Sequence, residues 1–322
     1  MFPTTLLILG VSLSCQEEST LQKLDKEISA IREKVRSSVV RVQADDLNLS
    51  GVIYSKEGHV VTDASAVEQA RELRVMVGDR VYSADRANAD KRTGIAVLKI
   101  GAKELTPATV SSDACKTGST AIVVGNAFGM PWTVTWGPIG GTGRSILVRG
   151  RKYENMLQMS LTVHPGDCGA FVADSAGRLI GLIHSAGAVE AGDEKVAPAP
   201  AFAVPVAWVK FSADRIIKYG HMVRGWLGAS LLPPSDAVRA QLGLEPGVGA
   251  EVARVENDSP AKKAGLTTRD ILLTFDGESV TDLDALQWKI ARFEKPTKVK
   301  LTYLRERVAR DAETQIELDP QK

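Results

Sequence analysis

The sequence predicts a mainly β chain of two units, an all-β barrel or sandwich reaching to about Pro205 and a small α+β domain from about Arg224 to Leu318. From Val39 onward, short alternating or apolar runs (VVRVQ, GVIYSKEGHVVTD, LRVMVG, GIAVLKI, TAIVVGN, RLIGLIHS) are separated by Gly and Asp, with almost no helical period. A helical stretch, Val206 to Tyr219, then interrupts the strands. Beyond it GAEVARV, DILLTF, KVKLTYL and TQIEL read as strands, beside one clear helix, DLDALQWKIARF, whose Leu283, Leu286, Ile290 and Phe293 share a face.

With 322 residues and 44% hydrophobic content the chain can bury two cores. Its 40 Lys plus Arg nearly balance 39 Asp plus Glu, so nothing favours a nucleic-acid partner. The cysteines are Cys15, Cys115 and Cys168, too few for a disulfide framework and without a paired CxxC, and neither a metal site nor a cofactor is expected.

The start, MFPTTLLILGVSLSC, has an apolar run from Leu6 to Leu13 that is too short to span a bilayer but suits the core of a signal peptide. Residues 1–15 are expected to be an export leader. Ser14 and Cys15 are similar to a bacterial lipoprotein cleavage site, with Cys15 as the lipidated residue, although Ser12 stands where Leu is usual and no Lys or Arg precedes the run. An ordinary cleaved leader is the alternative. Membrane contact is expected only through such a lipid anchor.

In residues 16–36, Leu21, Leu24, Ile28, Ile31 and Val35 alternate spacings of three and four, which predicts one helix with a narrow apolar stripe. That stripe either lies on its own domain or forms a short coiled-coil seam. Residues 37–205 then form the first unit, 206–223 a linker helix and 224–319 the second unit. Residues 186 to 201 are rich in Ala, Gly and Pro and read as a mobile loop. Arg144, Arg149, Arg151 and Lys152 make a local basic cluster, read as solvated surface.

Seven segments in order carry a resemblance: SGVIYSKEGHVVTD, DKRTGIAVLKI, VVGNAFG, HPGDCGAF, AFAVPVAWV, RGWLGAS and SPAKKAGL. The chain resembles the HtrA (high-temperature-requirement A) family of envelope proteases, which implies a trypsin-like double β-barrel followed by a PDZ domain. It also implies export to a bacterial periplasm or cell envelope, and a homo-oligomer, a trimer, with which the 21 to 35 stripe is compatible.

Carried over residue by residue, the resemblance argues against catalysis. Ser65, in TDASAV, stands where the family has its general-base histidine, and a hydroxyl cannot take up a proton near neutral pH. Gly94 stands where the family has the orienting aspartate. Cys168 takes the nucleophile's place, and an unperturbed thiol of pKa about 8.5 is only a few per cent thiolate at pH 7. Gly166 and Cys168 are the expected oxyanion-hole donors, but Ala170 and Phe171 replace Gly and Pro beside that turn, which puts the geometry of the hole in question.

Each of the four histidines has a plain reading. His59 and His221 are expected at the surface or in packing, and His164 to point away from Cys168. His184, in the strand after the nucleophile loop, either packs structurally or serves as a relocated base for Cys168.

The resemblance implies that Gly225, Trp226, Leu227 and Gly228 cradle a peptide's terminal carboxylate, with Leu286 and Ile290 walling the pocket for its last side chain. Arg269, where Gly is usual, touches a turn outside the groove. Two function classes follow. One is a catalytically degenerate relative that binds C-terminal peptides or unfolded proteins as scaffold, chaperone or regulator of active relatives. The other is an unorthodox cysteine endopeptidase or esterase using Cys168.

Overall fold

The computed structural model describes residues 18–320 except 149, 185–189, 192–193 and 196–199. The leader, Cys15 and most of the loop read as mobile lie outside the described residues. The chain opens with α1 (Thr20–Val35), started by a capping box in which the Ser19 hydroxyl accepts from the Gln22 N–H while the Gln22 side chain accepts from the Ser19 N–H. Its stripe is buried only at the end, at Ile31 and Val35, whereas Leu21 is 72% exposed.

Two closed barrels follow. In the first, β1 (Val39–Ala44), β2 (Leu47–Ile53), β3 (His59–Asp63), β4 (Leu73–Val77), β5 (Arg80–Asp90) and β6 (Ile95–Ile100) close in the order β1-β2-β3-β6-β5-β4. A single turn of helix, α2 (Ala64–Val67), leaves the end of β3. The second contains β7 (Thr120–Gly125), β8 (Thr133–Val148), β9 (Arg151–Met159), β10 (Phe171–Ala173) and β11 (Leu179–His184). After a short hairpin of β12 (Glu190–Ala191) and β13 (Glu194–Lys195), β14 (Ala201–Pro205) completes it in the order β10-β11-β14-β9-β8-β7. Closure leaves neither barrel a free edge. The inward Val, Ile and Leu of the alternating runs fill both interiors, each contributing roughly 1.5–3 kcal/mol by burial.

The predicted linker is a packed brace. In α3 (Val206–Tyr219), closed by Gly220 in the left-handed conformation, Val209, Ala213 and Ile216 are buried in the barrel core. Its Trp208 and Phe211 meet Trp288 of the second unit, at ring-centroid distances of 4.3 and 4.9 Å. The Arg215 guanidinium donates to the carbonyls of Val223 and Arg292, at 2.7 and 2.8 Å.

The second unit is a sheet with α4 (Asp236–Leu242), α5 (Pro260–Lys263) and α6 (Leu283–Ala291) around it. Its strands are β15 (Gly225–Trp226), β16 (Ala229–Leu232), β17 (Ala250–Val255), β18 (Ile271–Phe275), β19 (Glu278–Ser279), β20 (Thr297–Arg305) and β21 (Val308–Leu318). The order is β15-β21-β20-β18-β17-β16, which leaves β16 at the edge, and β19 pairs with β18.

Asp90, at the end of β5, ties the units together. Its Oδ2 accepts from the Thr93 and Ser212 hydroxyls, at 2.8 and 2.7 Å, and from the Arg224 guanidinium, while its Oδ1 accepts from the Arg92 N–H at 3.0 Å. Asp90 and Arg224 are 3% and 4% exposed. Removing one partner of such a pair leaves an uncompensated buried charge. Asp90→Ala should destabilise the protein by about 3–5 kcal/mol, and Asp90→Leu with Arg224→Met should recover most of that loss. Thermal unfolding of the three proteins checks both expectations.

Candidate functional site

The strands bring Ser65, Gly94 and Cys168 to one place at the seam of the barrels. The Ala64 N–H, one residue before Ser65, donates to the Gly94 carbonyl at 2.8 Å. A side chain built on Gly169, one residue after Cys168, would lie 3.1 Å from the Asp63 backbone nitrogen. The Cys168 carbonyl accepts from the Ser50 N–H at 2.9 Å, and Cys168 packs, half-buried, against the first barrel's core.

The residue that organises this place is Asp63, which the sequence reading passed over. It caps α2 with its carboxylate, where Oδ1 accepts from the Ser65 N–H at 2.8 Å and from the Ser65 hydroxyl. Its Oδ2 meets His184 Nδ1 at 2.5 Å, and both side chains are 1% exposed. Burial alone would push Asp63 up. The charge and hydrogen bond of His184, with the two groups of Ser65, outweigh burial and hold the carboxyl below the usual carboxylate range.

The imidazole stands where a side chain at residue 94 would go. Gly94 has φ +77°, and a Cβ there would lie 2.6 Å from His184 Cε1 and 2.8 Å from Nδ1. The ring also packs against Tyr153, with centroids 4.1 Å apart, and the same Cβ would lie 3.2 Å from Tyr153 Cε1. His184 Nε2 is buried without a hydrogen-bond partner, so no hydrogen bond joins it to Cys168. Two other histidines are occupied elsewhere, His59 Nδ1 with the Ser55 hydroxyl at 2.8 Å and the His164 ring against Phe128 at 5.2 Å.

The loop before Cys168 keeps a defined turn. The Asp167 N–H donates to the His164 carbonyl at 3.0 Å, and the Asp167 carboxylate accepts from the His164 N–H at 2.8 Å. The Pro165 carbonyl accepts from the Phe128 N–H at 2.6 Å, which turns the Gly166 N–H to the opposite edge of that peptide plane. Gly166 itself has φ +99°. Phe171 opens β10 and Ala170 just precedes it, its N–H donating to the Asp167 carbonyl at 2.8 Å, and both side chains are buried in core, at 1% and 0% exposure. The atoms added at these two positions pack into core.

A second site lies in the α+β unit. A cavity of about 390 Å³ runs between β16 and α6, lined by Gly225, Trp226, Leu227, Gly228, Gln287 and Ile290 among others. Gly228 has φ +73°, and a Cβ there would collide with Ser259. Arg224 also lines the cavity, and its Nη1 is buried without a partner, a cationic donor beside the cradle. Leu286, also expected as a wall, lies in the domain core at 4% exposure, whereas Ile290, one turn on, belongs to that core and also lines the cavity. Barrel residues Arg92, Lys152 and Glu154 reach the same cavity, so Lys152 of the basic cluster faces a groove. Among the described residues no cluster of His, Cys, Asp and Glu could hold a metal ion, and no helix is long and apolar enough to cross a membrane.

Two closed barrels with Cys168 at their seam, followed by a sheet with a groove at its edge strand, define a trypsin-like peptidase-fold domain joined to a PDZ domain. Residues 49–182 match the trypsin-like peptidase domain and residues 225–316 the PDZ domain. The chain is 32% identical over 275 residues to a probable periplasmic serine endoprotease DegP-like of Brucella suis biovar 1 (strain 1330), covering 84% of this chain and 52% of the relative. It is 34% identical over 266 residues to the protein of the same description from Chlamydia muridarum (strain MoPn / Nigg), covering 82% and 52%. The chain spans about half the length of these curated relatives. The solved structure of the HtrA-type protease AlgW with tripeptide matches with TM-score 0.80 and 29% identity over 92% of this chain and 98% of that one. The chain belongs to the HtrA family.

Gly94→Ala should destabilise the protein by more than the roughly 1–2 kcal/mol of left-handed backbone strain, because the methyl also meets the imidazole. In a His184→Ala background the added penalty should shrink, leaving a coupling of about 0.5–3 kcal/mol in a urea-unfolding double-mutant cycle. Because the folded Asp63 is held below its unfolded pKa of about 3.9, its contribution is complete above that value and is lost as pH falls through the folded pKa. Asp63→Asn should therefore flatten the acid limb of the stability curve.

Proposed function

We propose that the protein is an exported HtrA-family member that binds peptide C-termini or unfolded envelope proteins through its PDZ groove, acting as scaffold, chaperone or regulator of active relatives with little or no peptidase activity. The observation that carries this reading is the pairing of Gly94 with His184. An imidazole fills the space beside residue 94 and hydrogen-bonds to Asp63, not to Cys168. Ser65 is itself bound to Asp63 and cannot act as a base. Peptide cleavage needs one group to take the nucleophile's proton and return it to the leaving amine. In a serine protease, losing these partners lowers turnover by on the order of a millionfold.

The groove supports the binding half of the reading. Its glycine cradle, its edge strand and the unpartnered Nη1 of Arg224 suit a terminal carboxylate carried on an added strand. Similar solved structures are described as an HtrA-type protease with tripeptide and with decapeptide. Export is supported by the leader sequence and by the periplasmic relatives. A homo-oligomer, trimeric by resemblance and assembled with the exposed half of the α1 stripe, belongs to this reading, and a monomer in light scattering would remove it.

One observation favours a second reading, a cysteine hydrolase with a relocated couple, because Asp63 and His184 form the carboxylate–imidazole half of a triad. Casein and an activated ester separate the two. The binding reading expects no casein turnover by the wild type. Casein turnover that disappears in Cys168→Ala overturns it, whereas ester turnover alone indicates only a reactive thiol. Labelling of Cys168 by iodoacetamide at pH 6 faster than free cysteine would support His184 as its base.

A further inference from the structure

The groove does not stop where β16 stops. A second cavity of about 430 Å³ shares Lys152, Glu154, Leu231, Leu232 and Gln287 with the first, so the two form one trough. The far part is lined from the PDZ domain by the apolar Leu231, Leu232, Pro233, Pro234 and Leu283, with Arg239, Thr281 and Asp282 beside them. Its opposite wall is barrel backbone and side chain, Gly143 and Ser145 of β8 with Lys152 and Glu154 of β9. Lys152 and Glu154 are paired with each other at 2.5 Å, so this wall presents no unmatched charge from that pair. Leu232 is 48% exposed.

The direction of a bound strand follows from the fold. The cradle, residues 225–228, immediately precedes β16, so a peptide whose carboxylate sits there and whose backbone adds to the β16 edge runs antiparallel to β16. The four residues Ala229–Leu232 span about 13 Å at roughly 3.3 Å each and match the last few residues of the ligand. Past Leu232 come Pro233 and Pro234, which have no N–H to offer a ladder. Residues further upstream are therefore held by side-chain burial in the second cavity, and not by main-chain hydrogen bonds.

We propose that this second cavity is a subsite, built jointly by the PDZ domain and the second barrel, for an apolar side chain about five to seven residues upstream of the ligand's C-terminus. The occupant is the upstream part of a C-terminal tail from another protein, and the chemistry it meets is the Leu and Pro floor. The inference rests on the PDZ groove's being the ligand site, as proposed above. It adds that the protease-fold domain takes part in choosing the ligand without performing chemistry on it. The brace of α3, with Trp208 against Trp288, fixes the distance between the two walls.

Fluorescence anisotropy with three labelled peptides on the full chain tests this. One is a tetrapeptide with an apolar C-terminal residue, the second a decapeptide ending in those four residues with Leu at the sixth position from the end, and the third the same decapeptide with Gly there. The Leu decapeptide should bind about tenfold tighter than the Gly decapeptide, the size of effect expected from burying part of one apolar side chain. Ser145→Trp, an exposed position that fills the cavity from the barrel side, should abolish that gain and leave tetrapeptide affinity unchanged. A tetrapeptide that fails to bind overturns the groove reading itself. Binding of the tetrapeptide with no Leu-to-Gly difference, or a difference that survives Ser145→Trp, overturns the subsite alone. A chain that self-associates through this face, with association lost in Ser145→Trp and no Leu-dependent gain in peptide binding, assigns the trough to a second copy and also overturns it.

Discussion

The buried carboxylate of Asp90 is the constraint on which the relation between the two halves of this molecule depends. One oxygen gathers the Thr93 and Ser212 hydroxyls and the Arg224 guanidinium, drawing the first barrel, the bracing helix and the PDZ domain to a single point. In a low-dielectric setting, a charge so placed is stable only while its partners stay. The consequence is geometric. Arg224 directly precedes the cradle, and Asp90 begins the turn whose last residue, Gly94, returns an N–H to the Asp90 carbonyl at 2.8 Å. The PDZ groove and the barrel seam at Gly94 are thus two ends of one short covalent and hydrogen-bonded path.

That path explains why the groove is a trough with two unlike walls. A PDZ domain on a free linker would present its edge strand to solvent. Here α3 is packed into the barrel core and onto α6, so β8 and β9 stand opposite β16 at a fixed separation. The barrel contributes wall residues to the groove whether or not its own seam performs chemistry. On the proposed binding reading, the double-barrel domain then has a structural role beside the groove.

Much of the architecture was legible in the sequence because it rests on local signals. Alternation of Val, Ile and Leu with polar residues marked the barrel strands, and the 3.6-residue period marked α1, α3 and α6. The short α4 was missed, since its seven residues carry no buried side chain and are held by a Ser235 cap and a Gly243 stop. Ser65, Gly94 and Cys168 could be located from motif order. The partner of His184 could not, because Asp63 is 121 residues away and the pairing is set by how β3 and β11 meet. The one available hint was an acidic residue two before Ser65, at a helix-starting position, and its capping role was as legible as its tertiary one was hidden. Periodicity likewise identifies the apolar face of α6, on which Leu286 and Ile290 both lie, but not which of its residues borders the groove.

The seam itself is better described as rebuilt than as eroded. Erosion would leave a hole where a side chain was lost, and holes in a packed core are costly. At residue 94 there is no hole. The space beside the glycine is taken by the imidazole of His184, the imidazole is hydrogen-bonded to one oxygen of Asp63, and the second oxygen of Asp63 is taken by Ser65. Each member satisfies another, so no single reversion returns the family's arrangement. An aspartate at residue 94 would run into the ring, and a histidine at residue 65 would remove the hydroxyl that binds Asp63. On the proposed binding reading, peptidase chemistry is separated from this chain by a set of mutually supporting contacts, a higher barrier than one missing base.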